Sequence, residues 1–307
     1  MSASGGTRAV VAALAANLGI AATKLVAFLL TRSSSMLAES IHSFADSGNQ
    51  ALLLIGGKRA QRAATPDHPF GYGRERYIYA FLVSITLFSV GGVFAVYEGV
   101  HKIAHPEAID EWKWVPIAVL VAATALETFS FRTAIQEANK DRAGVGWVAY
   151  VRHAKAPELP VVLLEDLAAL VGLLLALFGV SLTLATDDGR WDGVGTLAIG
   201  VLLVSVAAIL AVETKSLLLG ESASPAAVRR ITAALESEPS VERVIHLRTM
   251  HLGPDELLVG AKIAVRHDQT AAGVAAAIDS AEARVRAAEP LARVIYLEPD
   301  LDRTPGL

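Results

Sequence analysis

The residues with the most chemical promise stand on one stripe. His42 and Asp46 are four apart, so on a helix they share a face one turn apart, and Asn49 at i+7 continues it. An imidazole, a carboxylate and an amide carbonyl at this spacing look like half of a divalent-metal site, since imidazole and carboxylate are the usual ligands of zinc and its neighbours. The other half must come from a second helix. Glu165 and Asp166, set in an otherwise Leu-, Val-, Ala- and Gly-rich run, are the candidates. Adjacent helical positions point about 100° apart, so both can face one site only from its two sides. Asp166 is the first candidate for direct binding and Glu165 the second. The one that does not bind can hydrogen-bond, carry a proton or face a neighbouring helix.

Three further ionisable residues lie in apolar surroundings. Glu39, one turn before His42, supports the ligands or lines the entrance. Glu127 either pairs with Lys24 or relays protons. An ionisable group inside a bilayer costs at least about 2.5–3.5 kcal/mol on insertion scales, so it is rarely idle.

These residues need long helices to position them. The 307-residue chain is 53% hydrophobic and 19% charged, too apolar for one soluble domain and too long for a single anchor. Six apolar segments of spanning length are expected near 8–30, 34–60, 73–100, 113–136, 159–184 and 192–219. The Met1–Arg8 start shows no signal-peptide pattern. Turn-forming junctions separate the segments: Thr31 to Ser34, Gln61 to Gly73, His105 to Asp110, Asn139 to Pro157 and Thr186 to Arg190. Basic residues gather around the second junction (Lys58, Arg59, Arg62, Arg74, Arg76) and the fourth (Lys140, Arg142, Arg152, Lys155). Basic loops stay cytoplasmic, so both termini are expected in the cytosol.

After Leu219 the pattern changes. Ser224-Pro225 opens an amphipathic helix, Val241 to Met250 and Glu256 to Val265 read as strands, Ala271 to Ala288 as a helix and Leu291 to Leu297 as a last strand. The order α-β-β-α-β predicts a ferredoxin-like α+β domain. The fold class expected is therefore a membrane α-helical bundle at 1–219 with a ferredoxin-like cytoplasmic domain at 220–307. There is no cysteine, which excludes disulfides and thiolate metal sites. Basic residues are scattered, which argues against nucleic acid. No phosphate loop or nucleophile–base set suggests an enzyme, and no prosthetic group is implied.

The string Leu37-Ala38-Glu39-Ser40-Ile41-His42-Ser43-Phe44-Ala45-Asp46 resembles the second-helix motif of the cation diffusion facilitator family. Asp67-His68-Pro69-Phe70-Gly71-Tyr72-Gly73-Arg74-Glu75-Arg76 is similar to the loop that follows it there. Val162 to Ala169 looks like the fifth helix of the family's zinc-transporter-9-like branch. The six spans and the α-β-β-α-β tail match the family's layout. The resemblance implies a homodimer, joined through cytoplasmic and transmembrane domains, that exports Zn2+ (or Mn2+ or Fe2+) in exchange for protons. It carries the family's two second-helix ligands onto His42 and Asp46, and the later fifth-helix ligand onto Asp166. The earlier falls on Val162, which has no donor, and Glu165 is the substitute. The loop site is reduced to Asp67 and His68, because Tyr72 stands where the family has a His. In the cytoplasmic domain Tyr296-Leu297-Glu298 replaces the family's His-x-Asp, and His246, His251 and His267 do not fit its pattern, so a dimer without a metal bridge is expected. A bacterial plasma membrane suits the Ala- and Arg-rich composition. The rival reading is a non-transporting metal-sensing or scaffold protein of the membrane.

Overall fold

A computed structural model describes residues 3–32, 34–106, 113–142 and 144–301. Residues 107–110 of the third expected junction lie outside it. The chain forms two compact units, 1–58 with 76–215 and 59–75 with 216–307.

The first unit is a helical bundle. Its long helices are Ala3–Thr31, Ser34–Ala60, Glu75–Ala104, Trp114–Asp141, Glu158–Thr186 and Arg190–Leu219, called below the first to sixth spans. Among the described residues, the last four are long and apolar enough to cross a membrane. The first contributes a shorter apolar stretch, Asn17–Thr31. The second has 27 residues, or about 40 Å at 1.5 Å per residue, but its apolar character is diluted by Glu39, His42, Asp46, Asn49 and Gln50. Leu-, Phe- and Val-rich faces point outward, as with Phe129 and Val212, while small residues face inward, so lipid is the natural solvent of the exterior. The fourth junction contains a short helix that the sequence does not announce, Trp147–His153.

Close approach between spans rests on glycine. A Cβ added at Gly99 would lie 2.5 Å from Leu197 N, and one at Gly200 2.5 Å from Val96 N, so the third and sixth spans meet backbone to backbone. At one end the third and fifth spans are tied by an Arg76–Glu158 fork, with Nη2 donating to Oε2 at 2.9 Å. Between these two contacts the third span widens into a π-helical segment, Leu87–Val93. Such segments interrupt α-helices mostly at functional sites.

The second unit is the α+β domain together with the connection between the second and third spans. Ser224 caps the helix Pro225–Glu236 by accepting from Ala227 N, and Thr270 does the same for Ala271–Ala288 through Gly273 N. Strands β1 (Val241–Gly253) and β2 (Glu256–Val265) form an antiparallel hairpin, and β2 runs parallel to β3 (Ala292–Asp300) through the second helix. The result is a three-stranded version of the ferredoxin-like plan in order β1-β2-β3. The helices pack Ile231, Leu235 and Val285 onto Leu257, Val259 and Ile263 of the central strand. The strands run further than expected, β1 to Gly253 and β3 to Asp300, because hydrogen bonding continues beyond the apolar run. Gly73 of the connection seats against the β1–β2 turn, where a Cβ would meet Leu252 O at 2.9 Å, and Arg74 Nη2 donates to Met250 Sδ at 3.2 Å.

Two predictions follow from packing and charge. Gly200→Val drives a branched side chain into the third span's backbone and should cost about 3 kcal/mol or more, read as a lower melting temperature in detergent. Gly48→Ala, on the second span with nothing within 4 Å of its Cβ, should be neutral or stabilising; equal loss in both variants would contradict the packing. In the second unit, the hydroxyl of Ser280, then the backbone N–H of Ser240 and then Arg284 hold the Glu238 carboxyl below its ordinary range, against the opposing effect of burial. A depressed carboxyl adds stability above its unfolded value that is lost as pH falls through the folded one. Glu238→Gln should therefore speed amide exchange in β1 at pH 7, with the difference shrinking as pH falls below the ordinary carboxylate range; a difference that does not shrink on acidification would contradict it.

Candidate metal centre

The second span presents a buried polar stripe through the bundle. Glu39, His42, Asp46, Asn49 and Gln50 are all below 9% exposure. Periodicity accounts for this: positions 39, 42, 46, 49 and 50 fall on one side of an α-helix. His42 Nε2 stands 3.4 Å from Asp46 Oδ2, within ionic reach but without hydrogen-bond geometry. The His42 ring lies beside the π-helical part of the third span, where a Cβ at Gly91 would come 3.9 Å from Nδ1. The tighter neighbour of that position is Leu203, whose Cδ1 would lie 3.2 Å from the added Cβ.

Many atoms of this stripe have no hydrogen-bond partner. Both ring nitrogens of His42, Asp46 Oδ1, Asn49 Oδ1, Gln50 Oε1 and Glu39 Oε1 are buried and unsatisfied. Buried polar atoms are almost always paired, and each exception costs about 1–3 kcal/mol. Such atoms concentrated over a few turns of one helix describe a donor set built for something polar.

The fifth span faces the stripe with Glu165 and Asp166, both buried. Asn49 Nδ2 donates to Glu165 Oε1 at 2.7 Å, which joins the second and fifth spans directly. Ser130 Oγ, on the fourth span, donates to Asp166 Oδ2 at 3.1 Å. The two acids thus point as their 100° offset demands: Glu165 toward the second span, Asp166 toward the fourth. Asp46 feels the charges of Glu165, Glu127 and Asp166, as well as that of Lys24. Among the described residues, no three His, Asp or Glu side chains converge tightly enough to hold one ion together. The acids are gathered in one low-dielectric region without being closed on a point.

Other candidates fall as follows. Lys24 is fully buried and gives its ion pair to Glu39, at 2.9 Å, rather than to Glu127. Glu127 is buried within electrostatic range of Lys24 and Glu39. Val162 packs with the apolar core and offers no donor. Asp67 and His68 are exposed and belong to the second unit, where the His68 ring lies 4.6 Å from that of Tyr72. In the same unit Lys262 Nζ bridges Glu298 and Asp300, each at 3.0 Å. Gln50 joins the stripe, and its place four residues after Asp46 is a signal readable in the sequence. The contacts of Ser130 and Gly172 depend on which spans become neighbours.

Comparison with known proteins bears on the whole arrangement. The family model described as the cation efflux transmembrane domain matches residues 10–219. A proton-coupled zinc antiporter, SLC30A9, mitochondrial, of Xenopus laevis is 34% identical over 242 residues, 78% of this chain and 43% of that protein. The metal tolerance protein C4 of Arabidopsis thaliana is 26% identical, over 83% of this chain and 56% of its own length. The manganese efflux system protein MneP of Bacillus subtilis is 25% identical, over 84% and 83%. The chain spans less than half the length of the Xenopus relative. With most of its length matched by the family's transmembrane domain, this integral membrane protein belongs to the cation diffusion facilitator family.

Proposed function

We propose that this chain exports a divalent metal, zinc first, across a membrane in exchange for protons. It does so by alternating access around a site between the second and fifth of six spans. The observation that carries the reading is the stripe of unsatisfied buried donors on the second span facing the buried acids of the fifth. The vertebrate relative's name as a proton-coupled zinc antiporter supports it.

Each side chain then has a task. His42 and Asp46 bind from one side, and Glu165 and Asp166 from the other. Asn49 orients Glu165 and Ser130 orients Asp166 through the hydrogen bonds already described. The apolar neighbours exclude water, so the donors are worth more to a cation than they would be in solvent. Metal ligands must be deprotonated, so metal entry releases protons and returning protons displace the metal. Exchange therefore follows from the ligands themselves. Because the acids do not converge on a point, a rocking movement that draws the second and fifth spans together closes the site around its cargo.

The wider assignment keeps both termini in the cytosol, places the chain in a bacterial plasma membrane, and pairs two copies through both domains. Asp67 and His68 form at most a loop site on the way in. The protein is a transporter without enzymatic chemistry or prosthetic group. One observation favours a second cargo. The donors are one imidazole and several oxygens, with Val162 apolar, and an oxygen-rich set suits manganese or iron(II) better than a two-histidine site would. The MneP relative is named for manganese efflux.

The test is flux into proteoliposomes with an imposed pH gradient, ion by ion. Asp46→Ala should reduce zinc-driven proton movement to the protein-free level. Wild-type flux in that variant would refute the site, and faster manganese than zinc flux in the native protein would reassign the cargo.

A further inference from the structure

Lys24 is the most deeply buried cation of the bundle's described residues, with no measurable exposure, and it sits in the apolar stretch of the first span. Its ammonium donates to Glu39 Oε2 and to Ser43 Oγ, both at 2.9 Å. Glu39 and Ser43 are four apart, so one charge grips two successive turns of the second span. His42 lies between them in sequence. A second bond repeats the grip next to it: Ser40 Oγ donates to Ala21 O at 3.2 Å, and Ala21 is one turn before Lys24 on the first span.

The remaining oxygen of Glu39 points elsewhere. Oε1 is buried and unpartnered, and it occupies a notch in the fifth span where Gly172 lacks a side chain. A Cβ at 172 would come 2.9 Å from Oε1, whereas its other nearest neighbours, on Ile199, would lie at ordinary contact distances of 3.8 and 3.9 Å. The notch is thus shaped around this carboxylate. One side chain of the second span is bonded on one side to the first span and seated on the other in the fifth. Gly172 is six residues beyond Asp166, on the helix that supplies the far half of the metal centre.

A buried ion pair is a weak source of net stability, because desolvation offsets its attraction. Its best-attested use is to fix register, since any sliding or rotation that separates the partners leaves a charge alone in a low dielectric. Here the register at stake is that of the helix bearing His42 and Asp46. We propose that the Lys24–Glu39 pair, seated in the Gly172 notch, is the positioning device of the metal centre. It sets the rotation and depth of the second span so that its donors meet Glu165 and Asp166. This inference rests on the transport reading above. Neither Lys24 nor Gly172 touches the cargo.

Three variants of the full chain test it, with zinc and manganese as probes and with melting temperature, metal affinity, KM and kcat as readouts. Gly172→Ala leaves every charge in place and improves helix propensity, yet displaces the Glu39 carboxylate. It should keep or raise the melting temperature while weakening zinc affinity and raising KM about tenfold. The double variant Lys24→Met with Glu39→Met leaves no unpaired charge, and should bind zinc at least about tenfold more weakly even where it folds as well as the native chain. Lys24→Arg, which keeps the charge and the reach, should stay within about threefold. Native KM and affinity in Gly172→Ala overturn the inference, whether or not the double variant folds. A native chain that binds and moves neither metal removes the transport reading and this inference together. Native binding with unaffected Gly172→Ala removes this inference alone.

Discussion

The constraint on which the structure depends is the cost of polar atoms in a medium that cannot solvate them. A bilayer core offers no water to an imidazole or a carboxylate, so each must find a partner within the protein or wait for one. The second span carries Glu39, His42, Asp46, Asn49 and Gln50 into that medium. The rest of the bundle reads as a response. Lys24 takes one oxygen of Glu39, Glu165 takes the amide of Asn49, and the glycine at 172 leaves room for the other Glu39 oxygen. Among the described atoms of this stripe, both ring nitrogens of His42, Asp46 Oδ1, the amide oxygens of Asn49 and Gln50, and Glu39 Oε1 stay unpaired.

A second theme is how small residues convert sequence into geometry. Without a hydrophobic drive between helices in lipid, close packing must come from shape. The reciprocal contacts of Gly99 with Leu197 and of Gly200 with Val96 bring the third and sixth spans together at backbone distance. The π-helical segment of the third span lies in the same region and puts Gly91 beside the His42 ring. A π-helical turn is wider and less tightly wound than the α-helix on either side of it, so this segment can relax by changing register.

Much of the fold was legible because it rests on local rules. The helix boundaries near 34–60 and 192–219, the Ser224-Pro225 cap and the α-β-β-α-β order come from periodicity and capping chemistry. The helix at Trp147–His153 was hidden because seven residues, barely two turns, give no clear period. The candidate metal centre was half legible. Four-residue spacing marked His42 and Asp46, and burial of a Glu-Asp pair in an apolar run marked the fifth span. The choice of Glu39 over Glu127 as the partner of Lys24, the Asn49–Glu165 and Ser130–Asp166 hydrogen bonds and the notch at Gly172 were not legible. They are set by which spans become neighbours and at what depth, and single-helix patterns carry no such information. The same limit explains why residues 59–75, which include the junction read at Gln61 to Gly73, group with the α+β domain: only tertiary contact shows Gly73 seated against the β1–β2 turn.

The central claim is that a cation rests between the second and fifth spans on one imidazole and on oxygens. Zinc K-edge absorption spectroscopy of the reconstituted full chain tests it most directly. The account predicts a nitrogen and oxygen shell at about 2.0–2.1 Å that contains a single imidazole, and loss of that imidazole signature in His42→Ala. A shell with two or more imidazoles, or one unchanged by the substitution, would place the ion elsewhere and contradict it.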